Sequence, residues 1–404
     1  MSNIIKVWMA LFLAILLMQL ANGQQSTVVG ILTNVAGFGT FAGGFVMSAF
    51  YAGYAAGSIA APGIVERIGH VRSFGILVAV GVAAMGFYQV SIDPVTWGLV
   101  RAVIGFSLSG IFVVAESWLN DQTANETRGR VFSLYILVQL GGLMGGQLLA
   151  SASGAAGGLP FAMFTALMAL CIVPVLAGNT PEANRHVPHP VGIPILYRIS
   201  PLAFVGVVIS GFIWAALMGG IPFYGEAIGL GSAATPILVA MPILGGLICL
   251  FPMGWLSDHM DRRAVLIGTA SLASLTAVIG LFLGADSLTT LYVVMAIYGA
   301  LTFPFYSLAV AHMNDRLVPE QRVPASAGLV LLFGLGSILG PMFVYWSIGI
   351  FGPWGFFVVL FLSTIAVAMF ALIRMLARPG AQRGGAMTPE PHVHSDELPP
   401  HPTP

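Results

Sequence analysis

Apolar residues run through this chain in long blocks, with no period that separates a buried face from a wet one. Twelve blocks stand out, at 8–31, 41–61, 73–91, 95–117, 131–152, 159–178, 201–220, 236–256, 264–284, 288–310, 325–348 and 355–375. Each approaches the roughly 20 residues that a helix rising about 1.5 Å per residue needs to cross about 30 Å of hydrocarbon. The connections are mostly too short to form domains of their own. The pattern predicts an all-α integral membrane protein with 12 transmembrane helices, and runs of this length exclude a transmembrane barrel.

Two polar islands interrupt the blocks, "NDQTANETR" from Asn120 to Arg128 and "NDRLVPEQR" from Asn314 to Arg322. They match at four positions across an offset of 194, and Gly105 with Gly299, Gly142 with Gly336 and Gly146 with Gly340 repeat the same offset. A second loop pair, "PGIVERIGHVR" after span 2 and "GWLSDHMDRR" after span 8, aligns Glu66 with Asp258 at an offset of 192. Each half therefore carries six spans, and because six is even the halves share one topology, as parallel repeats do. The expected units are an N-terminal six-helix bundle at 1–178, a cytoplasmic linker at 179–200 and a C-terminal six-helix bundle at 201–378. A Pro- and His-rich tail at 379–404 is expected to be disordered.

Charge adds orientation. Of 15 Lys and Arg residues, 14 follow the first residues of the chain, spans 2, 4, 6, 8 and 10, or the last span, and only Arg101 lies inside a block. The positive-inside rule then places both termini in the cytoplasm, and the protein is expected in the inner (plasma) membrane. The opposite loops hold only the acids Asp93, Glu226 and Asp286. Lys6, the run from Trp8 to Leu20 and "LANGQ" also imitate a secretory signal, but cleavage there would leave eleven spans and orphan one repeat. Composition agrees with a membrane class: 57% of residues are apolar and mean hydropathy is +0.93. Cys171 and Cys249 fall in apolar blocks and read as buried thiols.

The loop "GWLSDHMDRR" resembles the signature of the major facilitator superfamily at Gly254, Asp258, Arg262 and Arg263, with His259 and Asp261 departing from it. The first copy is looser, keeping Glu66 in the Asp position, Arg67 and Gly69, while "RAVIGFSLSG" is similar to the family's span 4 pattern at Arg101, Gly105 and Ser109. The run "VVAESWLNDQTANETRGRVFSLY" and the short link resemble the bacterial YcaD-like branch. The resemblance implies two pseudo-symmetric six-helix bundles and a secondary transporter of a small solute working by alternating access. It also implies a cytoplasmic gate at Glu66, Arg67, Asp258, Arg262 and Arg263, joined by Asp121, Glu126 and Arg128 and their counterparts Asp315, Glu320 and Arg322. The other reading of these charges is topology determinants and solvated turns.

Arg101 is the sharpest single residue, since a charge inside a span costs about 2.5–3.5 kcal/mol on the mildest insertion scale and faces a cavity or partner. Steps of four and three put Arg101, Gly105, Ser109, Phe112 and Glu116 on one stripe, with Glu116 about 22 Å along the helix from Arg101. The stripe reads as a path, Arg101 and Glu116 being the proton-coupling candidates. The alternatives are an Arg101 that snorkels outward and a Glu116 that caps the boundary. Gln19, Asn22, Gln139 and Gln147 supply polar faces for the substrate path, and the resemblance, which places spans 1, 4, 7 and 10 around it, adds Trp214, Tyr298 and Tyr306.

No carboxylate lies deeper than Glu116, which favours a neutral, amphipathic or anionic solute over an organic cation. Neither a nucleotide-binding loop nor HExxH, a nucleophile elbow or paired intramembrane carboxylates occurs, so neither an enzyme nor a cofactor is expected. His392, His394 and His401 are too loosely spaced to define a metal site. The expected partners are the substrate, protons and the bilayer, with no nucleic acid, and the protein is expected as a monomer. A facilitative uniporter, or a non-transporting sensor or assembly protein on the same fold, remains the alternative.

Overall fold

A computed structural model describes residues 2–123, 125–154, 158–177, 192–284 and 287–377, whose regular structure is helical throughout. In chain order the helices are α1 (Ser2–Val35), α2 (Thr40–Ile68), α3 (His70–Met85), α4 (Pro94–Asp121), α5 (Asn125–Ser153), α6 (Leu159–Leu170), α7 (Ile172–Ala177) and α8 (Ile193–Ile199). They continue with α9 (Pro201–Ala227), α10 (Gly231–His259), α11 (Arg262–Leu283), α12 (Leu288–Thr302), α13 (Pro304–Asn314), α14 (Pro319–Phe351) and α15 (Trp354–Ala377).

Eleven helical stretches are long and apolar enough to cross a membrane. The twelfth, α1, carries Gln19, Asn22, Gln24, Gln25 and Thr27, and it is buried against α5, α6 and α9. Three spans arrive in pieces, span 3 being α3 followed by a 3-10 turn at Gly86–Gln89. Span 6 is α6 and α7, and span 10 is α12 and α13, where Pro304 has no N–H to continue the ladder. Helix α8 falls in the expected linker, whose earlier residues and the tail lie outside the described residues.

The helices overrun most of the apolar blocks, and some of them start at a polar cap. Asp93 accepts from Val95 N and Thr96 N ahead of Pro94, and its hydrogen bonds from Ser91 and Thr96 hold the carboxyl down to about 2. Asp261, a departure from the loop signature, accepts from Arg263 N and starts α11. Large apolar side chains such as Phe41, Ile248 and Phe282 are exposed on the outside, where only lipid suits them.

The repeat is visible as packing. Gly105 of α4 lies against the backbone at Phe50 of α2, and Gly299 of α12 lies against the backbone at Pro242 of α10. Gly146 of α5 touches the backbone at Leu20 of α1, and Gly340 of α14 that at Phe212 of α9. Both pairs are 194 apart, and in each crossing a Cβ would collide with main chain.

The helices before α8 and those after it meet along three seams. Helix α2 runs against α14, α5 against α10 and α1 against α9.

Candidate functional site

The loops bearing Arg67, Arg128, Arg262 and Arg316 define a basic end of the molecule; the chain reversals at Asp93 and Glu226 define the opposite end. Arg101 stands about 10 Å in from the opposite end, seven residues past the start of α4. It is fully buried, so it does not snorkel. Its Nη1 donates to Gln25 Oε1 at 3.1 Å, and Gln25 Nε2 donates to the Tyr88 hydroxyl at 3.2 Å. Phe50 lies under the guanidinium, 4.6 Å from its carbon to the ring centre. Tyr51, Tyr88 and, from α14, Tyr345 are within electrostatic reach. Nε and Nη2 have no hydrogen-bond partner.

Helix α1 supplies amides, and most are committed to neighbours. Thr27 Oγ1 donates to Gln147 Oε1 at 2.6 Å and Gln147 Nε2 to Gly23 O at 3.0 Å, so Gln147 clamps α5 to α1 with both ends of its amide engaged. Gln24 Nε2 reaches Pro160 O on α6 at 3.0 Å. Asn22 Nδ2 donates to Gln19 Oε1 at 3.1 Å, while Asn22 Oδ1 is buried without a partner.

Glu116 sits five residues before the end of α4, where Gln122 and not Glu116 occupies the cap position. The Tyr135 hydroxyl of α5 donates to Glu116 Oε1 at 3.3 Å, and Gln139 is close to that hydroxyl. Tyr54 of α2 and Tyr306 of α13 lie within electrostatic range of this carboxylate, so both sets of helices pass near it.

The α4 stripe itself packs on α2. Arg101 lies over Phe50, Gly105 on its carbonyl, and Phe112 beside Tyr54 at 6.4 Å between ring centres. A ladder of Phe50, Tyr51 and Tyr54 thus joins the two charges.

Trp214 packs on Phe303 and Phe333, and Tyr306 on Phe333, inside the second set. Tyr298 is not with them. It is fully buried between α12 and α15 with its hydroxyl on Leu360 O at 3.1 Å, because its face of α12 turns toward the bundle core. Gln25, Tyr51, Tyr54, Tyr88 and Tyr345 are the residues that sequence reasoning missed. The aromatic run "FYAGY" at 50–54 was the available signal, and it is indistinguishable from packing until α4 is placed beside it.

At the basic end, Arg262 Nε lies 3.0 Å from Asp315 Oδ2 without an aligned hydrogen bond, and its Nη2 lies 3.7 Å from Asp258 Oδ1. This ion pair joins two loops of the second set. Arg316 Nη1 donates to His312 Nε2 at 2.8 Å alongside. Arg67, Asp121 and Arg128 are exposed, and Glu66 and Arg263 are half-buried. The side chains of Glu126, Glu320 and Arg322 lie outside the described residues. Among the described residues no group of three metal-ligating side chains occurs, and the tail histidines lie beyond them.

The opposite end is sealed across the two sets. Tyr345 stacks on Phe223 at 4.0 Å between ring centres, its hydroxyl is 3.3 Å from Thr33 Oγ1, and its ring covers Gly43 and Gly44. Ser151 Oγ donates to Ala233 O at 2.7 Å on the α5–α10 seam. A Cβ on Gly43 would come within 2.5 Å of Tyr345 Cε1, and the buried ring has no room to yield. Overpacking of this kind costs about 1–3 kcal/mol, so Gly43→Ala is expected to loosen the contact between α2 and α14 at this end. Spin labels on the exposed Phe41 and Ile350 positions report it as a longer distance population.

The chain matches the family model described as Major Facilitator Superfamily over residues 9–233 and 203–396. An uncharacterised MFS-type transporter YcaD of Salmonella newport is 26% identical over 402 residues, covering 98% of this chain and all of the relative, and that of Salmonella typhimurium matches equally. Among solved structures, nucleoside transporter NupG aligns with TM-score 0.72 at 14% identity, covering 94% of this chain and 100% of that one. A bacterial homologue of the lysosomal transporter Spinster, inward-facing and unoccupied, gives 0.73 at 18%, covering 92% and 95%. A D-xylose–proton symporter gives 0.70 at 15%, covering 91% and 97%. At these identities the likeness is one of fold.

Proposed function

The chain belongs to the major facilitator superfamily, and from that premise we propose that it is a secondary active transporter that moves a small solute by alternating access, coupled to protons. Its basic end faces the cytoplasm of the cell that carries it in the plasma membrane, and the two six-helix bundles rock about the α2–α14 and α5–α10 seams. In the arrangement described, Tyr345 closes the far face against Thr33, Gly43 and Gly44. The Arg262–Asp315 pair lies within the second set, so it orders the basic loops of that set and does not itself bridge the two sets.

The observation that carries the coupling is Glu116. It is a carboxylate on the membrane-spanning α4 that accepts from the Tyr135 hydroxyl and has Tyr54 of one set and Tyr306 of the other within electrostatic range. A group so placed can take a proton from one face and lose it to the other as the halves rock. One solved structure of similar fold is a D-xylose–proton symporter, and the coupling proposed here is of the same kind.

The test has two stages. Comparison of metabolites inside and outside cells with and without the protein supplies the solute, and purified protein in liposomes then gives its flux. Accumulation driven by an imposed pH gradient supports the proposal. Flux indifferent to that gradient makes the protein a uniporter, and no flux for any accumulated solute makes it a sensor or assembly protein.

A further inference from the structure

We infer that the solute carries a carboxylate, and that the free edge of Arg101 binds it; the inference rests on the transporter reading above and names its substrate class. A guanidinium has one edge on which Nε–H and the N–H of Nη2 point in parallel, and that edge forks a carboxylate through two hydrogen bonds. These are the two atoms of Arg101 that are buried without a partner. The remaining nitrogen, Nη1, is already held by Gln25, and the face is covered by Phe50. The Tyr88 hydroxyl lies alongside but is not aligned to accept from the free edge. Every part of the guanidinium except the carboxylate-binding edge is therefore occupied.

Charge narrows the class further. No described carboxylate pairs with Arg101, and its electrostatic neighbours are the neutral tyrosines 51, 88 and 345. One guanidinium and one carboxylate make a neutral pair, which a low-dielectric site tolerates when it is well hydrogen-bonded. A phosphate dianion would leave a net negative charge with no second cation beside it. The site thus selects a monocarboxylate, and the rings of Phe50, Tyr51 and Tyr345 suit an apolar or aromatic remainder.

Access follows from the seal. Tyr345 belongs to α14, whereas Arg101, Gln25, Phe50 and Tyr51 belong to helices of the first set. Parting α14 from α2 takes Tyr345 off the cage and opens the free edge to the face opposite the basic loops. The carboxylate is met when that face is open, and in the arrangement described here the free edge is buried behind Tyr345.

The test uses the purified full chain and four acids, acetate, lactate, benzoate and phenylacetate, each beside its neutral amide. Thermal stabilisation by at least one acid and not by its amide is expected, with affinity about tenfold to a hundredfold weaker in Arg101→Gln. Gln25→Glu is the second variant. It sets a built-in carboxylate beside Arg101, so the protein folds with a higher melting temperature and loses the response to added acid.

Equal stabilisation by acid and amide, no stabilisation by any acid, or a full acid response in Gln25→Glu overturns the inference. The two readings fail separately. Acid binding without flux in liposomes removes transport and keeps the site. Gradient-driven flux of a neutral solute with no acid binding removes the carboxylate and keeps the transporter.

Discussion

Replacing Gly105 or Gly299 with Ala is expected to cost each protein the same amount of stability, about 2–3 kcal/mol, which is the upper part of the range for overpacking a tight contact. The added Cβ at 105 meets the Phe50 carbonyl, and at 299 it meets the Pro242 carbonyl. Neither obstacle is a side chain that can rotate away, so two helices must separate along their crossing. In lipid, where no hydrophobic force draws helices together, that close approach is itself the source of cohesion. Gly254→Ala is the control, because a Cβ there meets nothing within 4 Å although Gly254 belongs to the loop signature. It is expected to be neutral or stabilising, since Ala favours helix over Gly by about 0.5–1 kcal/mol. Unfolding of the purified proteins in one detergent checks all three. Losses at 105 and 299 that differ by more than the control effect would show that the two crossings are not equivalent.

Glu116→Gln is expected to abolish accumulation while leaving exchange intact. A gradient of one pH unit is worth about 1.36 kcal/mol per proton, so a transporter coupled to one proton concentrates its solute about tenfold per unit. Gln keeps the size of the side chain and can still accept from the Tyr135 hydroxyl, but it cannot carry the proton. Accumulation under a pH gradient should therefore fall to equilibration. Counterflow, in which labelled solute enters in exchange for unlabelled solute, needs no net proton movement and should persist. Loss of both would assign Glu116 to folding or solute binding; survival of both would take the proton role away from it. Tyr135→Phe separates these cases further, because it removes the one hydrogen bond that positions the carboxylate and leaves its charge.

How much of this was legible differs between the frame and the site. The blocks of apolar residues located the membrane helices, whose ends run past the blocks by up to seven residues, as α2 and α9 do at Ile68 and Ala227. The repeated islands and glycines fixed the correspondence between halves, and the glycines proved to sit at equivalent crossings. Of the candidate site, the sequence singled out the charges whose burial is expensive, Arg101 and Glu116. Which aromatic and amide residues join them was not legible, because Tyr54 and Tyr298 have the same composition and the same kind of helix around them. One faces Glu116 and the other faces Leu360 O.

The sequence alone determined the solvent in which this chain folds, the number of its helices, the relation of its halves and its family, because each depends on run length, charge placement or internal matching. The tertiary structure decided which polar groups are spent and which are free. Gln147 is spent between α1 and α5, Gln25 is spent on Arg101, and the free edge of Arg101 is left over. The reason is physical. Helical spacing assigns a residue to a face, but in a bundle bathed in lipid both the inward and the outward faces are apolar, so the neighbour on that face is set only by how twelve helices pack.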